Sequence, residues 1–358
     1  MAVRSARDRP GSVPAFVPHP LVRGGDAQTI AGRWLPGRRV RLRARYVELE
    51  VSDGDRIVVL DSTPPGWQPG DPAALFVHGL AGCVRSPYVA RPAGRLLDLG
   101  YRAVRMNLRG AGSGFGAARS IYHAGRTEDV RVAADWLATR APGSPIALVG
   151  FSLGANLVLK LAAEAASHPL AGLDCVIAAN PPLDLSACCR HLARPEARIY
   201  DRNFVRLLGR LIDRLHAAHP DLGPANLDGV GSLYDFDDRY TARRNGFEGA
   251  EAYYADSSAG PLVPRIRVPG LVVHAEDDPF IPIGSIRAVA FPPHLPLELC
   301  EAGGHLGYLS HRPWRGDRRW LDARIAAWLE TRWGSRAGVN PATGPDGGRS
   351  SDVRNPDE

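Results

Sequence analysis

Gly150-Phe151-Ser152-Leu153-Gly154 is a G-x-S-x-G pentapeptide. A serine in that frame works as a nucleophile when it stands on a sharp turn from a strand into a helix. Small flanking residues let the turn close, the hydroxyl is held at the carboxyl edge of a sheet, and the next backbone N–H points at the reacting carbonyl. A serine hydroxyl is a poor nucleophile alone. It needs a base, and the base needs a group that fixes its tautomer. Where such an elbow operates, serine, acid and histidine follow in that chain order. The acid candidates are adjacent: Asp277 and Asp278, in Glu276-Asp277-Asp278-Pro279-Phe280-Ile281-Pro282. Asp278 precedes Pro279 and lies four residues before Pro282, a helix-starting proline, which favours it. Asp277 stays open as the alternative, because loop geometry decides which carboxylate faces inward. Three histidines follow the acid. His305 sits in Ala302-Gly303-Gly304-His305-Leu306-Gly307, where glycines permit a tight loop that returns the ring over the sheet edge. His294 precedes the last strand and His311 lies in a Ser/Arg/Pro loop. A developing oxyanion needs two N–H donors. Leu153 supplies one. Leu80, in His78-Gly79-Leu80-Ala81-Gly82, is the candidate for the other, with His78 as scaffold.

These residues require strands whose carboxyl ends share one edge. Pro145–Val149 is an apolar run that reads as a buried strand, and Ala155–Ala166 carries Leu157 and Leu161 at helical spacing among strong helix formers. Val40–Val51 and Asp55–Asp61 read as an antiparallel pair joined at Ser52-Asp53-Gly54. Ala73–His78, Tyr101–Met106, Cys175–Asn180, Gly270–Ala275 and Leu295–Cys300 read as further strands. Helices are expected over Tyr88–Leu99 (Ser86 as N-cap, Pro87 opening it), from Thr127 as cap to about Arg140, and over Arg315–Trp333. Strands alternating with helices predict an α/β protein with a mostly parallel twisted sheet and helices on both faces. The alternation breaks between Pro181 and Arg265. That interval holds helices around Tyr200–Leu215 and Gly249–Ala255 and reads as a helical cap insertion over the carboxyl edge, where open α/β sheets bind ligands. The expected division is a disordered 1–14, a core over 15–182 and 265–335, a cap over 183–264, and a disordered 336–358.

The chain has 358 residues, is 44% hydrophobic and 23% charged, and has a mean hydropathy of −0.18, values of an ordinary globular protein. No segment approaches ~20 consecutive apolar residues, and no apolar stretch follows the basic residues at the N-terminus, so neither a membrane span nor a signal peptide is expected and the expected compartment is the cytoplasm. The net charge of +6 comes almost entirely from arginine, Lys160 being the only lysine, and it is spread among acidic residues. That distribution argues against a nucleic-acid partner. The dense stretch Arg38–Arg45 reads as a strand with one arginine-lined, solvated face. Five cysteines with no CxxC spacing describe neither a disulfide framework nor a zinc site. Cys175 and Cys300 read as core residues; the pair Cys188-Cys189 receives no role.

Taken together, Phe16–Leu21 with Gln28-Thr29-Ile30, His78–Gly82 with Ser86-Pro87-Tyr88, Met106–Gly110, Tyr122–Asp129, Gly150–Asn156, Asp277–Phe280 and Gly303–Gly307 resemble the YheT-like branch of the α/β-hydrolases. The matching stretches cover most of 16–333. The resemblance implies an α/β-hydrolase fold, a Ser152–Asp278–His305 triad, and hydrolysis of carboxylic esters by a serine esterase that needs no cofactor or metal, with a small-molecule ester as the partner. Acyl transfer to an alcohol or thiol uses the same triad and is the nearest alternative; a non-catalytic ligand-binding protein on this fold is the second.

Overall fold

Ala73–Val77, Arg102–Asn107 and Ile146–Phe151 are buried along their whole length, the mark of strands covered on both faces. Their side chains alternate between two apolar clusters. Leu75, Val77, Val104, Met106 and Leu148 join one, while Ala74, Phe76, Ala103, Val149 and Phe151 join the other. The structure, a computed structural model, describes residues 13–35, 42–314 and 317–334. The elements run α1 (Gly25–Trp34), β1 (Arg45–Glu50), β2 (Arg56–Ser62), β3 (Ala73–Val77), α2 (Pro87–Asp98), β4 (Arg102–Asn107), α3 (Thr127–Arg140), β5 (Ile146–Phe151), α4 (Leu153–Glu164) and β6 (Leu173–Ala179). Then come α5 (Leu185–Leu192), α6 (Arg198–Ala218), α7 (Leu233–Phe236), which runs into a π-helical turn (Asp237–Ala242), and α8 (Ala250–Ser257). The chain closes with β7 (Gly270–Ala275), α9 (Ile283–Arg287), β8 (Leu297–Cys300), β9 (Leu309–Trp314), β10 (Asp317–Arg319) and α10 (Trp320–Trp333).

The main sheet has eight strands in the order β1-β2-β4-β3-β5-β6-β7-β8. β1, β2 and β4 pair antiparallel; every pairing from β4 through β8 is parallel. α3 and α4 cover the face of the first cluster, through Val130, Leu137, Leu157 and Leu161. α2 and α10 cover the other, through Val89, Leu96, Ile325 and Leu329. This is the expected mostly parallel α/β sheet, and it brings the carboxyl ends of β3 to β8 to one edge. Between β6 and β7 lie α5 to α8, a helical insertion with no strand among the described residues. α6 turns Leu208, Ile212 and Leu215 inward and exposes Arg198, Arg202, Arg206, Arg210 and Arg214.

Buried Arg109 ties three segments together. It donates to both oxygens of Asp129 at the start of α3 at 2.8 Å and to Asp55 at 3.0 Å, and it also holds Asp53 of the β1–β2 turn. Four details depart from expectation. Ser86 stands at the N-cap of α2 and Pro87 opens it, as expected, but the Ser86 hydroxyl accepts from the Cys83 amide at 3.0 Å rather than from the helix. Thr127 is the first residue of α3, not its cap, and its hydroxyl donates to Glu164 at 2.8 Å. The last helix starts at Trp320, because 309–314 and 317–319 form the β9–β10 hairpin. β1 starts at Arg45; 36–41, with part of the arginine stretch, lie outside the described residues, as do 1–12 and 335–358, where the disordered ends were expected. No helix among the described residues is long and apolar enough to cross a membrane.

Candidate active site

β5 runs straight into the serine. Ser152 has φ 53° and ψ −123°, a conformation a non-glycine residue holds only when its surroundings impose it. Its amide donates to the Ala179 carbonyl on β6 at 2.9 Å, and α4 begins at the next residue. The flanking glycines are needed for space. A Cβ on Gly154 would lie 2.3 Å from the Val77 carbonyl oxygen, and one on Gly150 would lie 2.3 Å from the carbonyl of Gly154. Gly79 is equally constrained: its Cβ would stand 2.9 Å from that of Ser152. The turn that follows β3 therefore lies directly beside the serine.

That turn presents its amides in an ordered way. Gly79 N donates to the Tyr88 hydroxyl at 3.2 Å, Ala81 N to the Tyr122 hydroxyl at 2.7 Å, and Gly82 N to the Gly79 carbonyl at 3.1 Å. Among the described residues, the Leu80 amide has no acceptor. Leu153, as first residue of α4, likewise has an N–H with no intrahelical acceptor, at the positive end of the helix. His78 fixes the turn from below. Its Nδ1–H donates to the Gly79 carbonyl at 2.8 Å while Nε2 accepts from Leu108 N at 3.1 Å. Burial pushes this imidazole down to about 4, against the Gly79 bond, so the ring is neutral and takes the scaffold role expected of it.

His305 and Asp278 come together at the ends of β8 and β7. His305 Nδ1 lies 2.8 Å from Asp278 Oδ2. Asp278 Oδ2 also accepts from Asn180 Nδ2 at 2.6 Å, and Oδ1 accepts from the amides of Phe280 at 2.8 Å and Ile281 at 3.2 Å. Burial alone would raise this carboxyl. The His305 ring, His274 and the Phe280 amide outweigh it and hold Asp278 below the usual carboxylate range. Asp277 faces elsewhere. Its Oδ1 accepts from Gly304 N at 2.8 Å, bracing the histidine loop, and burial raises its carboxyl despite that bond. His294 instead meets the Ile266 carbonyl through Nε2 at 2.9 Å, and His311 is exposed on β9.

Ser152, His305, Leu80 and Leu153 line one cavity between the sheet edge and the helical insertion. Phe280 joins the two sides. It stacks on the His305 ring at 4.4 Å and meets Tyr200 and Phe204 of α6 at 4.7 and 5.4 Å. Asn156, one turn after Ser152, donates to the carbonyls of Ala124 and Ser257 and accepts from Ala259 N, fastening the end of the insertion to the elbow helix. Cys188 and Cys189, given no role in the sequence, are both part of the cavity wall.

Three features of this region were not read from the sequence. Asn180, at φ 48° after β6, accepts from the Tyr308 hydroxyl at 2.9 Å while holding Asp278; an Asn just past a buried strand and before Pro181 was the available signal. α1 was missed altogether. Its Thr29 hydroxyl accepts from His305 N at 2.8 Å and donates to the Gly25 carbonyl at 2.7 Å, Gln28 holds both backbone groups of Leu309, and a Cβ on Gly32 would stand 2.6 Å from the Gly307 Cα. Thr29→Val removes the acceptor of the His305 amide. It is expected to cost about 1–3 kcal/mol in urea unfolding and to lower kcat roughly tenfold with KM little changed.

The third is Asp237, in the π-helical turn. It lines the cavity, accepts from the Tyr254 hydroxyl at 2.8 Å, and is bonded by Thr241. No basic side chain among the described residues pairs with it, and burial pushes it up to about 6. A folded-state pKa above the unfolded value of 3.8 means the ionised form is penalised on folding. The penalty grows from about pH 4 to pH 6 and stays constant above that. Asp237→Asn lacks it, so its unfolding free energy relative to wild type is expected to improve by about 2 kcal/mol between pH 4 and pH 7.5. Urea titrations at the two pH values measure this.

A mostly parallel sheet with a serine elbow after β5 and an Asp–His pair at the ends of later strands defines an α/β-hydrolase. A family profile described as alpha/beta hydrolase fold matches residues 72–312, and the chain belongs to that family, in its YheT-like branch. YheT of Escherichia coli (strain K12), an esterase by name, is 34% identical over 82% of this chain and 87% of its own length. Monoacylglycerol lipase of Saccharomyces cerevisiae is 27% identical over 72% of this chain, which spans 59% of that protein. The solved esterase Pf2001 of Pyrococcus furiosus covers 82% of this chain and 93% of its own, with a TM-score of 0.53 and 16% identity, a likeness of fold.

Proposed function

We propose that this protein is a serine hydrolase that cleaves carboxylic esters through an acyl-enzyme. The observation that carries the reading is the 2.8 Å bond between His305 Nδ1 and Asp278 Oδ2, on a ring that shares its cavity with Ser152. With its proton held on Nδ1 by Asp278, the imidazole leaves Nε2 free to take the Ser152 proton. Ser152 Oγ attacks the ester carbonyl. The Leu80 and Leu153 amides hold the oxyanion, and His305 returns the proton to the leaving alcohol. Water, deprotonated by the same ring, then releases the acid. The esterase and lipase names of relatives support the substrate class.

An acyl-enzyme erases the identity of the leaving group. With methanol as a competing acceptor, the p-nitrophenyl, phenyl and ethyl esters of one acid are expected to give the same ratio of methyl ester to free acid. A ratio that changes with the leaving group, or no turnover of esters from acetyl to dodecanoyl, contradicts the proposal.

A further inference from the structure

The cavity wall is mostly apolar, with a few polar side chains set into it. Next to Ser152 and His305 it carries the apolar side chains of Leu80, Leu153, Phe280 and Ile281, with Tyr122 and His123 alongside. From the insertion, Asp237 and Thr241 of the π-helical turn and Tyr254 of α8 line the same cavity. The elbow, the base and the oxyanion donors make no use of them. Asp237 is 9% exposed, and a carboxyl group has acceptor sites beyond those that the Tyr254 and Thr241 hydroxyls fill. The π-helical turn is itself a rare geometry that recurs at functional sites. Among the described residues this buried acid has no counter-cation, and it lines a mostly apolar cavity. A neutral donor entering such a space gives up far less hydration than an ammonium ion would.

We propose that Asp237 receives a hydroxyl group carried by the ester, so that the cavity selects hydroxylated esters over their deoxy counterparts. The hydroxyl can belong to the acyl chain or to the alcohol, as in a glyceryl monoester; in both the recognising chemistry is one O–H donor on Asp237. This proposal rests on the ester-hydrolysis reading above.

The test compares kcat/KM on matched pairs: ethyl hydroxyoctanoates, with the hydroxyl at several positions, against ethyl octanoate, and glyceryl monooctanoate against propyl octanoate. Choline octanoate is the cationic control. Wild type is expected to prefer one hydroxylated arm by about tenfold or more, the size of a hydrogen bond to a charged group, and which arm wins tells acyl from alcohol. Asp237→Asn is expected to bring that ratio within about threefold, and Asp237→Leu to unity. Each ratio is internal to one protein, so a general loss of activity does not mimic the effect. Equal rates on both members of both pairs in wild type overturn the proposal, as does a preference that survives Asp237→Leu or a choline ester that outruns every hydroxylated one. Turnover of no ester at all by wild type refutes instead the reading on which the proposal rests.

Discussion

Ser152→Ala is expected to lower kcat on a p-nitrophenyl acyl ester by about 10⁵-fold or more, with KM changed little, as when the nucleophile of a triad is removed. The side chain lost is one oxygen. Alanine keeps the Cβ that sits against Gly79 and the amide that donates to the Ala179 carbonyl, so the turn and the cavity stay as they are. Binding of an acyl group by the cavity wall is expected to survive. What goes is the bond-forming atom. The Leu80 and Leu153 amides remain, leaving a residual acceleration of water attack of about 10³-fold. Steady-state kinetics together with a thermal melt separate loss of chemistry from loss of fold. Retention of more than a hundredth of wild-type kcat would contradict the assignment.

The second large effect separates two adjacent carboxylates. Asp278→Asn is expected to lower kcat about 10⁴-fold, and Asp277→Asn only several-fold. Asp278 Oδ2 accepts from His305 and from Asn180 together. An asparagine amide offers one oxygen and one NH2 group. If its oxygen keeps the backbone amides of Phe280 and Ile281, the NH2 faces the two side-chain donors, and the imidazole must move its proton to Nε2, where it can no longer accept from Ser152. The opposite flip leaves two buried amides facing a donor, at a cost of about 1–3 kcal/mol each. At 277 a single amide, Gly304 N, is bonded through Oδ1, and an asparagine oxygen can serve it. Measuring kcat for both variants decides the point; a greater loss at 277 than at 278 would reverse the assignment.

Why these two could not be told apart in the sequence is a matter of scale. The apolar run of β7, the glycines around His305 and the strand–turn–helix setting of Ser152 are local signals, a few residues long, and each landed in the structure where it was expected. A one-residue choice between Asp277 and Asp278 depends on how the loop beyond β7 turns, which is set by Gly304 and Asn180 from other strands. α1 was invisible for the same reason. Gln28, Thr29 and Gly32 carry no apolar periodicity, and their partners lie near 305–309, far along the chain. Thr127 looked like a helix cap because threonine commonly is one, and a glutamate on α4 claimed its hydroxyl instead. Asp237, within Asp235-Phe236-Asp237-Asp238, resembles a solvated acidic stretch; only the fold of the insertion brings it beside Tyr254 and into the cavity.

The central claim is that Ser152 is made nucleophilic by the imidazole of His305. A fluorophosphonate probe, followed by peptide mass mapping, tests it without any choice of substrate. Wild type should gain a single adduct on the peptide containing Ser152, and His305→Gln should label at least about a hundredfold more slowly, the upper range of general-base assistance being about 10⁴-fold. An adduct on another residue, or labelling of Ser152 at the same rate without the histidine, would contradict it.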